Sequence, residues 1–128
     1  MAENKKLRTY KDLIAWQKAY ELCVKVFRVA NAFPAKEQLC LASQIKRSSL
    51  SVPSNIAEGY TRHQTKEYLR FLYIAYASLA ELETQLLLAN DLKYILQDDF
   101  RQIVQLHGET QRIIHGLLKS LKRIPAYA

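Results

Sequence analysis

The chain has 128 residues, 49% of them hydrophobic and 24% charged, with a net charge of +7. That length sets one domain able to bury a core without staples, and its two cysteines, Cys23 and Cys40, are too few for a disulfide framework and sit at no metal-site spacing. No apolar run approaches ~20 residues and the start MAENKKLRTYKDL is polar, so neither a membrane span nor a secretory signal is expected, while the positive excess favours polyanionic partners in the cytoplasm.

Taken in order, the spacing of apolar residues predicts four helices. Thr9 followed three residues later by Asp12 resembles a capping box, with the acid near the positive end of the helix dipole, so a first helix is expected over 10–32. One seam on it holds Leu13, Trp16, Tyr20, Cys23, Phe27 and Ala30; a second holds Ala15, Ala19, Leu22, Val26, Val29 and Phe33. Two adjacent seams are wider than an outer bundle helix needs, which predicts that another subunit covers part of this face. The polar remainder is narrow, and Lys11, Lys18 and Lys25 recur at seven-residue steps along one face, followed by Arg28.

The connection at Phe33-Pro34 is short, favouring antiparallel neighbours, and a second helix is expected over 36–58. Leu41, Ile45, Ser48, Val52 and Ile56 mark its buried face, and the hydroxyls at Ser48, Ser49, Ser51 and Ser54 leave room for another helix to come close. Pro53 interrupts this pattern at a cost of ~3 kcal/mol. A kink near Ser49 is expected, or a break with a restart at Ser51, and Gly59 reads as a left-handed C-terminal cap. A third helix over 65–90 opens at Thr65 with Glu67 in its first turn. Its seam, Tyr68, Leu72, Ala75, Leu79, Leu82, Leu86 and Ala89, predicts shallow-angle bundle packing. A fourth over 98–122 places Phe100, Ile103, His107, Ile114, Leu117 and Leu121 inward, with Asp98 and Asp99 at its start, Lys119, Lys122 and Arg123 at its end, and Pro125 beyond. The fold class is all-α, an antiparallel up-down-up-down four-helix bundle.

The run Gln44, Arg47, Ser51, Pro53, Ser54, Asn55, Ile56, Ala57, Glu58, Gly59 resembles the signature of small four-helix-bundle proteins encoded in bacterial large-subunit rRNA intervening sequences. Leu13, Trp16, Ala19, Phe33-Pro34, Glu37, and the stretch from Glu67 to Leu86 with Glu81 extend the resemblance to roughly residues 12–95. Cys40 and Ala77 depart from it, standing where glycines are expected. The accessory variability determinants of diversity-generating retroelements are relatives of that family. The resemblance implies a ring-like homo-oligomer, a pentamer by its number, and an adaptor that binds RNA or DNA and docks on a reverse transcriptase.

Enzyme chemistry finds little support: there is no glycine-rich phosphate loop, no pair of metal-binding histidines and no nucleophile elbow, so no catalytic residue, metal or cofactor is expected. His63, His107 and His115 read as core or surface residues and Cys23 as a packing thiol. Glu58 and Glu81 lie among small or apolar neighbours and are expected to be partly buried. They serve either as hydrogen-bond acceptors fixing helix register or as an acid-base or divalent-ion pair. The basic residues form three groups: a stripe of Lys11, Lys18, Lys25 and Arg28; Lys46, Arg47, Arg62, Lys66 and Arg70 around the second turn; and Lys119, Lys122 and Arg123 at the end. Tyr10, Tyr60 and Tyr127 adjoin them as candidates for stacking on unpaired bases. With no groove-reading motif, backbone contacts with little base selectivity are expected from a non-enzymatic nucleic-acid-binding protein. The competing readings are a protein-interaction module whose charge serves solubility and an enzyme using Glu58 or Glu81.

Overall fold

The computed structural model describes residues 7–124. Its helices are α1 (Ile14–Asn31), α2 (Leu41–Thr61), α3 (Thr65–Asp91) and α4 (Gln97–Lys122), with short 3-10 turns at Tyr10–Asp12 and Ala35–Glu37 and no strand among the described residues. Tyr127 and Pro125 lie outside them.

The capping box forms, but on a smaller element than expected. Thr9 accepts from the Lys11 amide at 3.1 Å, and the Asp12 carboxylate accepts from the Thr9 amide at 3.1 Å. What they close is the first 3-10 turn; Leu13 is then extended (φ −74, ψ 128), so α1 starts at Ile14 rather than residue 10. The turn lays Tyr10 edge-on against Trp16 at 5.4 Å, and Trp16 stacks on Tyr20 at 4.9 Å. At the other end, the Gln38 amide donates to the carbonyls of Ala30 and Phe33, satisfying acceptors that the end of α1 leaves open. That connection uses up the residues from 35 to 40, and α2 begins at Leu41 instead of 36.

α2 then runs unbroken through a buried Pro53, so there is no restart at Ser51. The missing amide hydrogen at Pro53 is tolerated where the ring is packed rather than solvated. Gly59 is not a left-handed cap: no described glycine has a positive φ, the helix continues to Thr61, and the left-handed residue is His63 (φ 60). Glycine is required at 59 for another reason. A Cβ there would stand 2.7 Å from the Cβ of Phe71, so α2 and α3 touch almost backbone to backbone.

Helix α2 packs on α1 and α3, and α4 on α1 and α3. The contacts run in opposite senses along each pair. On α1 and α4, Lys18 meets Glu109 and Lys25 meets Asp99; on α2 and α3, Ser51 meets Ser78 and Gly59 meets Phe71. The core between them holds the second α1 seam in full, the predicted α3 seam from Leu72 onward, and Ile103, Ile114 and Leu118 of α4. Of the first α1 seam, Cys23 and Ala30 are buried, Leu13, Trp16 and Phe27 are half-buried, and Tyr20 is 52% exposed. No described helix is long and apolar enough to cross a membrane.

Candidate nucleic-acid interface

Position along the bundle sorts the basic side chains more sharply than position in the sequence. Lys18 reaches Glu109 at 3.1 Å and Glu21 at 3.8 Å; the hydrogen bond to Glu109 and then its charge push the ammonium above the usual lysine range. Lys25 donates to Asp99 at 2.8 Å. The middle of the α1 stripe is therefore neutralised by acids of α4, leaving Lys11 and Arg28 exposed at its two ends. Lys46 donates to the Asn31 side chain at 2.6 Å and lies over Phe27, while Arg47 is exposed.

At the α2–α3 turn the guanidiniums of Arg62 and Arg70 both lie over one aromatic anchor, 5.0 and 4.4 Å from the Phe71 ring centre. Arg62 pairs with Glu58 at 2.8 Å and Glu67 at 3.7 Å, and Arg70 pairs with Glu67 at 3.2 Å. The Arg70 hydrogen bond, with the charges of Arg70, Arg62 and Lys66, holds the Glu67 carboxyl below its usual range. Lys66 is exposed beside them.

Two tertiary contacts gather separate groups. Lys122 lies 5.1 Å over the ring of Tyr73, one turn beyond Arg70, which brings the terminal cluster to the turn cluster. A groove of about 670 Å³ between Leu7, Asp12 and Ile14 on one side and Gly116, Leu117 and Ser120 on the other sets the N-terminal turn against the last turns of α4. Arg8, Lys11, Arg62, Lys66, Arg70, Lys119, Lys122 and Arg123 therefore share one end of the bundle with the acids Asp12, Glu58 and Glu67. Among the described residues, Arg8, Lys11, Lys66, Lys119 and Arg123 meet no carboxylate at ion-pair distance. The sequence reading missed Arg8, and the signal for it was only its place one residue before the Thr9 cap.

The signature residues are structural in their contacts. The Asn55 amide donates to the Ser51 carbonyl (2.7 Å) and hydroxyl (2.9 Å), and Ser51 shares a 2.8 Å hydrogen bond with Ser78 across to α3. Glu58 and Glu81 are exposed, not partly buried: neither neighbour set closes over them, because small residues make a helix face shallow rather than covered. Gln44 is exposed as well. His107 is a core residue whose Nε2 lies 2.7 Å from the Leu79 carbonyl, and Cys23 is buried beside the Ser49 hydroxyl, its thiol pushed up by burial. No three His, Cys, Asp or Glu side chains among the described residues cluster closely enough to hold a metal.

These features define a small all-helical protein of four packed helices in which Arg8, Lys11, Lys66, Lys119 and Arg123 share one end, while Arg28, Lys36, Arg47, Lys93 and Arg112 stand exposed and without an ion pair elsewhere among the described residues. A family model described as 23S rRNA-intervening sequence protein matches residues 11–116, and the chain belongs to that family. A crystal structure from Bacteroides thetaiotaomicron, described as a protein of unknown function from the S23 ribosomal protein family, is similar at a TM-score of 0.76 and 21% identity, over 83% of this chain and 96% of that one. Curated proteins contain no match to the sequence.

Proposed function

We propose that this protein is a non-enzymatic, cytoplasmic nucleic-acid-binding accessory factor that grips the phosphate backbone of RNA or DNA with one end of an antiparallel up-down-up-down bundle. The observation that carries the reading is the convergence of Lys66, Lys119 and Arg123 with Arg8 and Lys11 at that end, none of them at ion-pair distance from a carboxylate among the described residues. Each phosphate they neutralise would release counterions. The opposite running of the Lys18–Glu109 and Lys25–Asp99 contacts supports the antiparallel order, and the buried Pro53 supports a bend in α2 near Ser49. The family resemblance supports a ring-like homo-oligomer, five-fold in number, and a role as adaptor to a retroelement reverse transcriptase; repetition of the basic end around a ring would give weak contacts avidity.

A second reading, an interaction module with no nucleic-acid role, is favoured by the neutralised stripe at Lys18 and Lys25. Binding of a fluorescent single-stranded RNA at several salt concentrations separates the two. Lys66→Gln, Lys119→Gln and Arg123→Gln together should weaken binding about tenfold or more and flatten the salt slope by roughly 2, at ~0.7 per phosphate contact. Lys18→Gln with Lys25→Gln should leave affinity within about twofold, since ion pairs already spend those charges. Equal losses from both sets would overturn the end-localised reading, and no binding by the wild type would favour the interaction module.

A further inference from the structure

We propose that the turn joining α2 to α3 carries a seat for one unpaired nucleobase; this rests on the nucleic-acid reading and names what the basic end would prefer, single strands over duplex. An open hollow of about 190 Å³ there is lined by Gly59, Tyr60, His63, Gln64, Thr65 and Tyr68. The rings converge: Tyr60 is held edge-to-face against Tyr68, centroids 5.8 Å apart at 77°, and His63 lies 6.5 Å from Tyr60 at 57°. Tyr68 thus holds Tyr60 in place, and the exposed His63 also borders the hollow. Gly59 keeps the floor open, since a Cβ there would press on a Tyr68 ring carbon at 3.3 Å.

Chemistry around the rim matches a nucleotide. Gln64 is exposed and offers an amide that both donates and accepts, which suits any base edge. The exposed Lys66, next in the chain to the lining residue Thr65, supplies charge for an adjoining phosphate, whereas Arg62 is already paired with Glu58 and Glu67. Bases within a duplex are already stacked and cannot enter; an unpaired base can lie on an aromatic face whatever its identity.

The test uses the full chain, a fluorescein-labelled 15-mer of oligouridine and a duplex RNA of the same length. His63 has a left-handed backbone (φ 60), so His63→Gly removes the imidazole while easing the fold. It should weaken strand binding several-fold and leave duplex binding unchanged. Tyr60→Ala should weaken strand binding on the order of tenfold, with Tyr60→Phe restoring it. A 4-thiouridine strand should cross-link to the peptide holding Tyr60 and His63. Variants that bind the strand like wild type, or that lose strand and duplex binding equally, would overturn the base seat alone. Wild-type protein that binds neither probe would overturn the nucleic-acid reading with it.

Discussion

At position 59 the absence of one methyl group decides how near two helices come. A glycine in mid-helix costs about 1 kcal/mol against alanine, yet an alanine here would put its Cβ 2.7 Å from that of Phe71, an atom fixed to the α3 backbone and unable to swing away. Overpacking costs ~1–3 kcal/mol, so steric strain outweighs the propensity gain. Gly59→Ala should lower stability by about 1 kcal/mol net, read from the urea midpoint; a stabilised variant would mean that α2 and α3 separate easily. Tyr68, packed beside this contact, gives a second test. Burial, with the neighbouring Tyr60, pushes its phenol up to about 12 from an ordinary 10.0. A raised acid favours its protonated form in the fold, so its contribution is intact below pH 10 and lost as pH rises through about 12. Its hydroxyl is buried with no hydrogen-bond partner among the described residues. Tyr68→Phe should therefore hold stability at pH 7 within ~0.5 kcal/mol or raise it, and should flatten the decline between pH 10 and 12. An unchanged alkaline slope would show that this phenol ionises freely in the folded protein.

Elements were legible where the pattern was internal to them. The α3 seam, the second α1 seam and the Asp98-Asp99 start of α4 could be read directly because helical periodicity is a local property. Boundaries failed where the chain makes its own short connectors. Gln38 stitches the α1–α2 link with side-chain hydrogen bonds that no composition rule announces, and Leu13 turns extended between a capped 3-10 turn and α1. The stop of α3 at Asn90-Asp91 was legible, but the left-handed residue that closes it is Lys93 (φ 64), with the amides of Lys93 and Tyr94 returning to Asn90 and Ala89 in a Schellman arrangement. No glycine marks that position. The candidate site was half legible. Which lysines are spent could not be read, because Lys25 and Asp99 are 74 residues apart and meet only once α1 and α4 pack. For the same reason the first seam looked more naked than it is: Tyr10 and Lys46 cover Trp16 and Phe27.

Viewed whole, the molecule has unlike ends. Opposite the basic end, Tyr94 donates to Glu37 at 2.9 Å and packs on Phe33 at 5.5 Å, drawing the α1–α2 and α3–α4 connections together. Around that junction Leu39 is 97% exposed, Leu96 75% and Leu92 47%. Each fully covered leucine is worth ~1.5–3 kcal/mol, so the homo-oligomer proposed above would gain from joining subunits at this end. Subunits joined there would keep the basic end turned outward, with Lys36 and Lys93 near the contact, and assembly and RNA binding would then answer salt differently. Apolar contacts hold or tighten as salt rises, whereas phosphate contacts weaken steeply. Light scattering and RNA anisotropy followed on one sample from 0.05 to ~0.5 M salt should show a constant assembly mass while RNA affinity falls by orders of magnitude. Leu39→Glu with Leu96→Glu, at residues 97% and 75% exposed, should shrink the assembly and reduce RNA affinity only by the lost avidity. A particle that falls apart in step with RNA release would instead place ion pairs between subunits, and one that remains a monomer at every concentration would remove the ring altogether.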